Sequence, residues 1–136
     1  MTVEVTTPPI IGVAIRFNDG EARRIFAGSD FTLMPSRFEP CGLSQMYAQR
    51  FGSLPIGHQT GGLAETIQDG ETGFLFPQPS AESFLGGVRR AFDTFRAKDR
   101  LDAMRRSAMA RSFSWDLSAA CYGALYRKTI APSIVA

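Results

Sequence analysis

The sequence predicts an α/β domain, with a parallel sheet of about four strands, helices on both faces of the sheet and a helical C-terminal third. Short apolar runs alternate with helical patterns up to about residue 76, and this alternation is typical of parallel strands joined by right-handed crossovers. Beyond residue 80 only helical patterns follow. The length suits one domain with a substantial core, so we expect residues 1–136 to form a single domain whose ends, 1–9 and 131–136, are loosely held.

Four short apolar runs predict the strands, at residues 10–15, 31–34, 54–56 and 73–76. Pro55 is tolerated in the third of them because it stands near the strand start, where the missing N–H is not needed. The predicted sheet therefore belongs to the first half of the chain.

Helical patterns separate these runs at residues 19–27 and 42–51. Residues 61–67 instead predict a loop with at most one helical turn, because two glycines open the segment. One side of the first helix carries its apolar residues, which are Ala22, Ile25 and Phe26.

Three helices are predicted after residue 80. Ser80 and Ser114 can cap the first and the last, because serine at an N-cap accepts a hydrogen bond from the first turn. The middle helix covers residues 99–110, and the last runs from Trp115 to about residue 128. The residues expected to face inward are Phe84, Leu85, Val88, Phe92 and Phe95 on the first helix and Leu101, Met104 and Ala108 on the second.

Composition argues against several classes of protein. A net charge of +2 gives no reason to expect a nucleic acid or an anionic membrane as partner. No apolar run approaches the roughly 20 residues of a membrane span, and residues 1–9 lack the pattern of a signal peptide. Cys41 and Cys121 are far apart and lack metal-ligand spacing, so we expect two reduced thiols in a cytoplasmic protein and no metal site.

The most informative run is at residues 35–45, PSRFEPCGLSQ, which follows a predicted strand and leads into a predicted helix. It places the carboxylate of Glu39 beside the backbone N–H groups of a helix start. Such groups bind anions, because the first turn lacks internal acceptors and carries the positive end of the helix dipole. A phosphate and a sugar hydroxyl could be held together there.

This run resembles the donor-site loop of bacterial glycogen synthases and plant starch synthases, which are retaining glycosyltransferases that move glucose from a nucleotide sugar to an α-1,4-glucan. Further segments are similar to motifs of the same family, in the same order. Residues 11–17 are similar to the strand that reaches the nucleotide base, and residues 60–67 to a second glycine-rich loop. Residues 72–76 resemble the last strand, and residues 113–115 the start of the C-terminal helix.

The resemblance runs from residue 11 to about residue 127 and implies a partial Rossmann-like sheet, from the C-terminal donor-binding domain of the two-domain GT-B arrangement. The acceptor domain would lie outside this chain, as would two strands of the donor domain with the Arg and Lys that neutralise the diphosphate. ADP-glucose or ADP is the implied donor ligand, with UDP-glucose left open, and the α-1,4-glucan would bind through the missing domain. No metal or cofactor is implied, and we expect the isolated chain to be inactive.

Glu39 is the candidate catalytic residue, because the matching glutamate of the family contacts the transferred glucose. A carboxylate can bind two sugar hydroxyls, and it can stabilise the positive charge of a developing oxocarbenium ion. The family's pattern has a second glutamate eight positions on, where this chain has Tyr47, a departure common in the glycogen synthase branch. The alternative is that Glu39 only caps the following helix.

The N–H groups of Cys41, Gly42, Leu43 and Ser44 are the candidate site for the distal phosphate and the sugar. Gly42 lets a phosphate approach the backbone closely, and Ser44 adds a hydroxyl where the family usually has threonine. An ordinary capped helix is the alternative. For Cys41 a small packed residue near the sugar is favoured over a nucleophile.

Thr60, Gly61 and Gly62 form the second candidate binding loop, which by resemblance faces the acceptor side of the cleft and the donor sugar. Two glycines after a strand permit left-handed backbone angles and close approach of a ligand, although a plain turn is the alternative. Gln59 stands where the family commonly has Arg or Lys. His58 is the only histidine, and a lone loop histidine is more often solvated than catalytic.

Phe17 matches the family's tyrosine that packs on the adenine ring. Its phenyl ring keeps the stacking face and lacks only the hydroxyl, while the alternative is a core aromatic at a strand end. Trp115 and Tyr122 are interpreted as core or docking residues.

The resemblance implies that the two middle strands of the donor-domain sheet lie outside this chain. Their absence would leave an unpaired edge on the strand at residues 31–34, and such an edge is a known association hazard. We expect the strand at residues 10–15 to pair with it directly. The alternatives are a homodimer or a complementing partner chain at the open edge, or residues 3–5 filling the gap.

A second functional hypothesis remains, in which the chain is a non-catalytic module that binds a nucleotide or glucan or only associates with a partner. An NAD-binding Rossmann protein is disfavoured, because no Gly-x-Gly-x-x-Gly follows a strand near the start.

Overall fold

The computed structural model of the chain describes residues 12–130. Over this range the chain forms a parallel α/β unit followed by helices, as the alternation of sequence patterns predicts. The three strands are β1 (Phe31–Met34), β2 (Leu54–His58) and β3 (Phe74–Phe76), and the six helices are α1 (Asp19–Gly28), α2 (Ser44–Arg50), α3 (Gly61–Thr66), α4 (Ala81–Arg96), α5 (Lys98–Ala110) and α6 (Trp115–Ile130).

The sheet is parallel throughout, with strand order β1-β2-β3. Phe31 lies opposite Leu54, and Ile56 lies opposite Phe74, so the carboxyl ends of the strands meet at one edge. Each crossover contains a helix, α2 between the first two strands and α3 between the next two, which is how parallel strands are connected. The parallel α/β class is confirmed, and the described residues hold three strands of the predicted four.

The predicted strand at residues 10–15 is wrong for its described part, because residues 12–15 adopt no regular secondary structure. The predicted direct pairing with β1 is therefore also wrong, since within residues 12–130 only β2 pairs with β1. Residues 10 and 11 lie outside the described part of the chain, as do the predicted loose ends at 1–9 and 131–136. Ile15 is exposed, so its apolar character alone does not produce a strand without a neighbour to complete the hydrogen-bond ladder.

The main core lies on one face of the sheet, under α4 and α5. Side chains at alternate positions of β2 and β3 point to this face, as the period of two in a strand requires. The predicted inward residues of α5 are confirmed, since all three are buried here. The buried members of this cluster are Leu54, Ile56, Phe74, Phe76, Ala91, Leu101, Met104 and Ala108.

The buried stripe of α4 differs in part from the prediction. Phe84, Val88 and Phe95 pack against the core as predicted, whereas Leu85 and Phe92 are exposed. Small residues take the central positions of the stripe because the helix backbone lies close to the sheet. Those buried residues are Gly87, Ala91 and Thr94, and Ser80 caps the helix as predicted by accepting a hydrogen bond from the Ser83 N–H.

A second, smaller cluster covers the opposite face of the sheet, where Leu63 and Ile67 pack on Leu75 with Met34 at the side. Helices on both faces are thereby confirmed. The helix at α3 is longer than the single turn predicted from the glycines, because packing of its apolar residues stabilises a short helix that propensity alone does not.

Two helices lie at the margins of the fold. Neither α1 nor α6 has a buried residue, and Trp115 is 82% exposed. The predicted cap of α6 is confirmed, since Ser114 Oγ accepts from the Asp116 N–H at 3.1 Å.

None of the described helices is both long and apolar enough to cross a membrane, and the same residues contain no cluster of three or more metal-ligating side chains.

Candidate functional site

Two loops meet at the carboxyl edge of the sheet, and both were singled out in the sequence. The loop after β1 carries Glu39, and the glycine-rich loop after β2, which includes the first residues of α3, consists of Thr60, Gly61 and Gly62. The Gly62 N–H donates a hydrogen bond of 2.8 Å to the main-chain oxygen of Glu39. The structure thus joins two motifs that lie more than twenty residues apart, as the common edge of parallel strands allows.

The glycines of the second loop are required by this contact between backbones. Gly61 has a φ of +41°, and a Cβ built on it would lie 2.1 Å from the Glu39 main-chain oxygen. A Cβ on Gly62 would lie 2.0 Å from the Cys41 main-chain oxygen. The left-handed geometry predicted for the pair is therefore found at Gly61, and the neighbour of both glycines is the first loop itself.

The carboxylate of Glu39 is half-buried and accepts a hydrogen bond of 3.3 Å from Ser36 Oγ. It does not cap α2, whose N-cap is Leu43 and which has no side-chain cap hydrogen bond. The capping alternative is therefore excluded. A carboxylate held by one weak neutral donor keeps most of its lone pairs available to a ligand hydroxyl.

The start of α2 presents unpaired main-chain donors. In the described part of the chain, the N–H groups of Gly42, Leu43 and Ser44 donate to no backbone oxygen. Gly42 has a φ of +71°, which turns the chain into the helix. The thiol of Cys41 is free and exposed, with Sγ 3.7 Å from the Gly42 oxygen. The sequence predicts that these N–H groups bind an oxyanion, the distal phosphate of the donor.

A buried amide was missed by the sequence analysis. Gln45 is 0% exposed, and its Nε2 donates to the main-chain oxygens of Cys41 at 2.8 Å and Gly42 at 2.9 Å. Gln49, one turn later, is also fully buried and donates to Thr66 O at 3.1 Å. The sequence does carry an indication of these buried amides, because Gln45, Ala48 and Gln49 have the spacing of one helix face. A glutamine on a buried face usually has a specific hydrogen-bond partner.

The interpretation of His58 as solvated is wrong. The side chain is buried at the end of β2, where it stacks on Phe76 with ring centroids 5.6 Å apart. Its Nδ1 lies 3.0 Å from the main-chain oxygen of Ser36, and because a carbonyl only accepts, Nδ1 carries the proton. His58 therefore supports the loop that carries Glu39.

Replacing His58 with phenylalanine should keep the stacking and remove this donor. We expect a loss of about 1 kcal/mol in the free energy of unfolding, because the Ser36 carbonyl would lose its buried partner. Urea denaturation followed by circular dichroism measures this directly. His58→Asn is the complementary variant, because it places an amide donor near the Nδ1 position and lacks the ring. A His58→Phe protein as stable as the wild type would show that the hydrogen bond contributes nothing and that only the ring matters.

Phe17 lies on a groove of about 510 Å³ between the segment before α1, α1 itself and the start of α2. The same groove is lined by Leu43 and Ser44, so the residue predicted to stack on the base and two of the predicted phosphate donors share one depression. Phe17 is 99% exposed, which excludes the alternative that it is a core aromatic.

Next to Phe17, a hydrogen bond from the Arg16 guanidinium lowers the pKa of the Glu21 carboxyl.

The sequence also matches the model of a known protein family. Residues 12–107 match the family described as glycosyl transferases group 1. The matched residues contain both loops and all three strands.

Curated relatives share high sequence identity. The chain is 82% identical over 124 residues to glycogen synthase 1 of Bradyrhizobium diazoefficiens, covering 91% of this chain and 27% of the relative. It is 60% identical over 124 residues to the glycogen synthase of Xanthomonas campestris, covering 91% of this chain and 26% of the relative. The chain therefore spans about a quarter of the length of these relatives.

Solved structures share the fold. The catalytic domain of starch synthase IV from Arabidopsis thaliana, bound to ADP and acarbose, has 32% identity and a TM-score of 0.77, covering 87% of this chain and 26% of that chain. A sucrose-phosphate synthase from Thermosynechococcus elongatus has 28% identity and a TM-score of 0.59, covering 78% of this chain and 27% of that chain.

Proposed function

Because this chain belongs to the group 1 glycosyl transferases, and within them to the glycogen and starch synthases, we propose that it forms the donor-side part of a glycogen synthase. The proposed reaction transfers glucose from ADP-glucose to the non-reducing end of an α-1,4-glucan, with retention of configuration. The proposal also includes a cytoplasmic location for the protein, as predicted from its two reduced thiols.

One observation carries the proposal: the Glu39 loop and the unpaired N–H groups at the start of α2 lie at one edge of the sheet, against the Gly61–Gly62 loop. Ligands of open α/β sheets bind at this carboxyl edge. The ADP-bound starch synthase supports a nucleoside diphosphate as the ligand.

In this proposal the N–H groups of Gly42, Leu43 and Ser44 hold the distal phosphate, and the Ser44 hydroxyl adds a further donor. Phe17 offers its exposed ring to the base. Glu39 binds hydroxyls of the transferred glucose and stabilises positive charge at its anomeric carbon as the bond to the phosphate breaks. The second loop, Thr60 to Gly62, borders the sugar.

The donor side alone does not complete the reaction. The glucan and the cations that neutralise the leaving diphosphate would be supplied by sequence that the relatives have beyond the quarter matched here. The edge of β1 that has no partner within residues 12–130, and the exposed α6, are surfaces through which such sequence, or a second copy of the chain, would associate. These surfaces also favour the second candidate function, a non-catalytic module that only associates with a partner.

Binding of ADP to the 136-residue chain tests the donor site. We expect weak binding, with a Kd of about 1 mM, because the resemblance places the two cations that neutralise the diphosphate outside this chain. Titration of ¹⁵N-labelled protein, followed by amide chemical shifts, measures affinities of this size. Ser44→Ala and Gly42→Val should weaken binding, the first by removing a hydroxyl and the second by forcing a side chain where φ is +71° and Gln45 Oε1 would lie 2.4 Å away.

Ser107→Ala is the matched control, because Ser107 is exposed in the last turn of α5 and belongs to neither loop. Glu39→Gln should leave ADP binding intact and remove any gain in affinity that ADP-glucose shows over ADP. Absence of ADP binding to the wild type would favour the associating module over the donor site.

A further inference from the structure

Four main-chain carbonyls of the first loop accept hydrogen bonds from groups inside the protein. The Ser36 oxygen accepts from His58, the Glu39 oxygen accepts from the Gly62 N–H, and the oxygens of Cys41 and Gly42 both accept from Gln45. The donors come from β2, α3 and α2, so three elements fix one loop.

Peptide planarity gives the last two of these hydrogen bonds a further consequence. In a trans peptide unit the C=O of one residue and the N–H of the next point in opposite directions, and residues 12–130 contain no cis peptide bond. When Gln45 holds the Cys41 carbonyl inward, the Gly42 N–H must point outward. When it holds the Gly42 carbonyl inward, the Leu43 N–H must point outward as well.

We infer that Gln45 is a positioning residue, which aims the N–H groups of Gly42 and Leu43 at the phosphate oxygens of the donor nucleotide. This inference rests on the proposed function for the identity of the ligand. The orientation itself depends only on contacts within the chain.

The surroundings of Gln45 suit this role. The residue is fully buried on α2, and its Nε2 also donates to Thr66 Oγ1 at 3.2 Å. Its Oε1 is buried without a hydrogen-bond partner among the described residues. A side chain that serves stability alone would be better replaced by an apolar one, since an unpaired buried oxygen is destabilising.

Gln49 supplies a matched control on the same helix. It is equally buried, it also has an unpaired Oε1, and it also bonds to Thr66. Its amide donates to the main-chain oxygens of Gln45 and Thr66 and to none in the first loop. Gln45→Met and Gln49→Met therefore remove similar buried amides, of which only one orients the loop.

Two measurements on the 136-residue chain test the inference. The first is the Kd for ADP from amide-shift titration, where we expect Gln45→Met to weaken binding by about tenfold or more and Gln49→Met to change it by less than about twofold. The second needs no ligand: residual dipolar couplings give the directions of the Gly42 and Leu43 N–H bonds. We expect these directions to change in Gln45→Met and to stay as in the wild type in Gln49→Met.

Equal losses of ADP affinity in the two variants, or unchanged N–H directions in Gln45→Met, would overturn the inference. If the wild type binds no ADP, the proposed donor site fails, and the dipolar couplings alone then decide for or against the positioning role. Should Gln45→Met not fold, Gln45→Asn takes its place, because the amide is kept but is one methylene too short to reach both carbonyls.

Discussion

Replacing Gly62 with alanine is expected to separate the two loops and to destabilise the protein by about 3 kcal/mol, near the upper end for an overpacked site. The added Cβ would lie 2.0 Å from the Cys41 main-chain oxygen and 2.5 Å from the Cys41 Cα. Neither neighbour is a flexible side chain, so the backbone must move. That movement also breaks the 2.8 Å hydrogen bond from the Gly62 N–H to Glu39.

Urea denaturation gives the free energy of unfolding, and Gly86→Ala is the control. Gly86 lies in the middle of α4, and a Cβ built there meets nothing within 4 Å. Because alanine favours helix over glycine, we expect this variant to be more stable than the wild type by about 0.5–1 kcal/mol. A Gly62→Ala protein as stable as the wild type would show that the loops are not in close contact.

The 136-residue chain on its own is expected to transfer glucose at a negligible rate. Catalysis of this type depends on charges that stabilise the departing nucleoside diphosphate, and losing one such donor raises the barrier by about 3 kcal/mol or more. The resemblance places two cations of this kind in sequence outside the chain, which implies a rate lower by about 10⁴-fold or more.

Incorporation of radiolabelled ADP-glucose into glycogen measures this rate, with the complete Bradyrhizobium diazoefficiens glycogen synthase 1 as the positive control. We expect label above background only with the complete enzyme. Turnover by the chain alone that approaches the complete enzyme would refute the prediction and would mean that the donor side carries the chemistry unaided.

Local sequence patterns predicted the elements whose ends and buried faces are marked by their own residues. The runs at β1, β2 and β3 have flanking turns that end them, and α5 has its apolar residues at helical spacing. The run at residues 10–15 has the same apolar character and yet is not a strand over residues 12–15. A strand depends on a neighbour for its hydrogen bonds, and a single run of residues does not specify that neighbour.

The same distinction applies to the candidate site. Glu39, Gly42 and Gly61 could be selected because a carboxylate and glycines near a helix start have recognisable chemistry. The role of His58 could not be predicted in this way, because its partner is the main-chain carbonyl of Ser36, 22 residues earlier in the chain. The partners of Gln45 lie only three and four residues before it, but they are main-chain carbonyls whose direction depends on the folded loop and not on residue type. The glycines at 61 and 62 were predicted for approach of a ligand, and the contact found is with the neighbouring loop.

The most direct test of the donor site is a map of amide chemical-shift changes when ADP is added to the ¹⁵N-labelled chain. We predict that the largest changes fall on Gly42, Leu43 and Ser44, with smaller ones on Phe17 and residues 60–62. Changes confined to other surfaces, such as α6, with the amides at the start of α2 unaffected, would contradict the assignment of these groups as the phosphate-binding site.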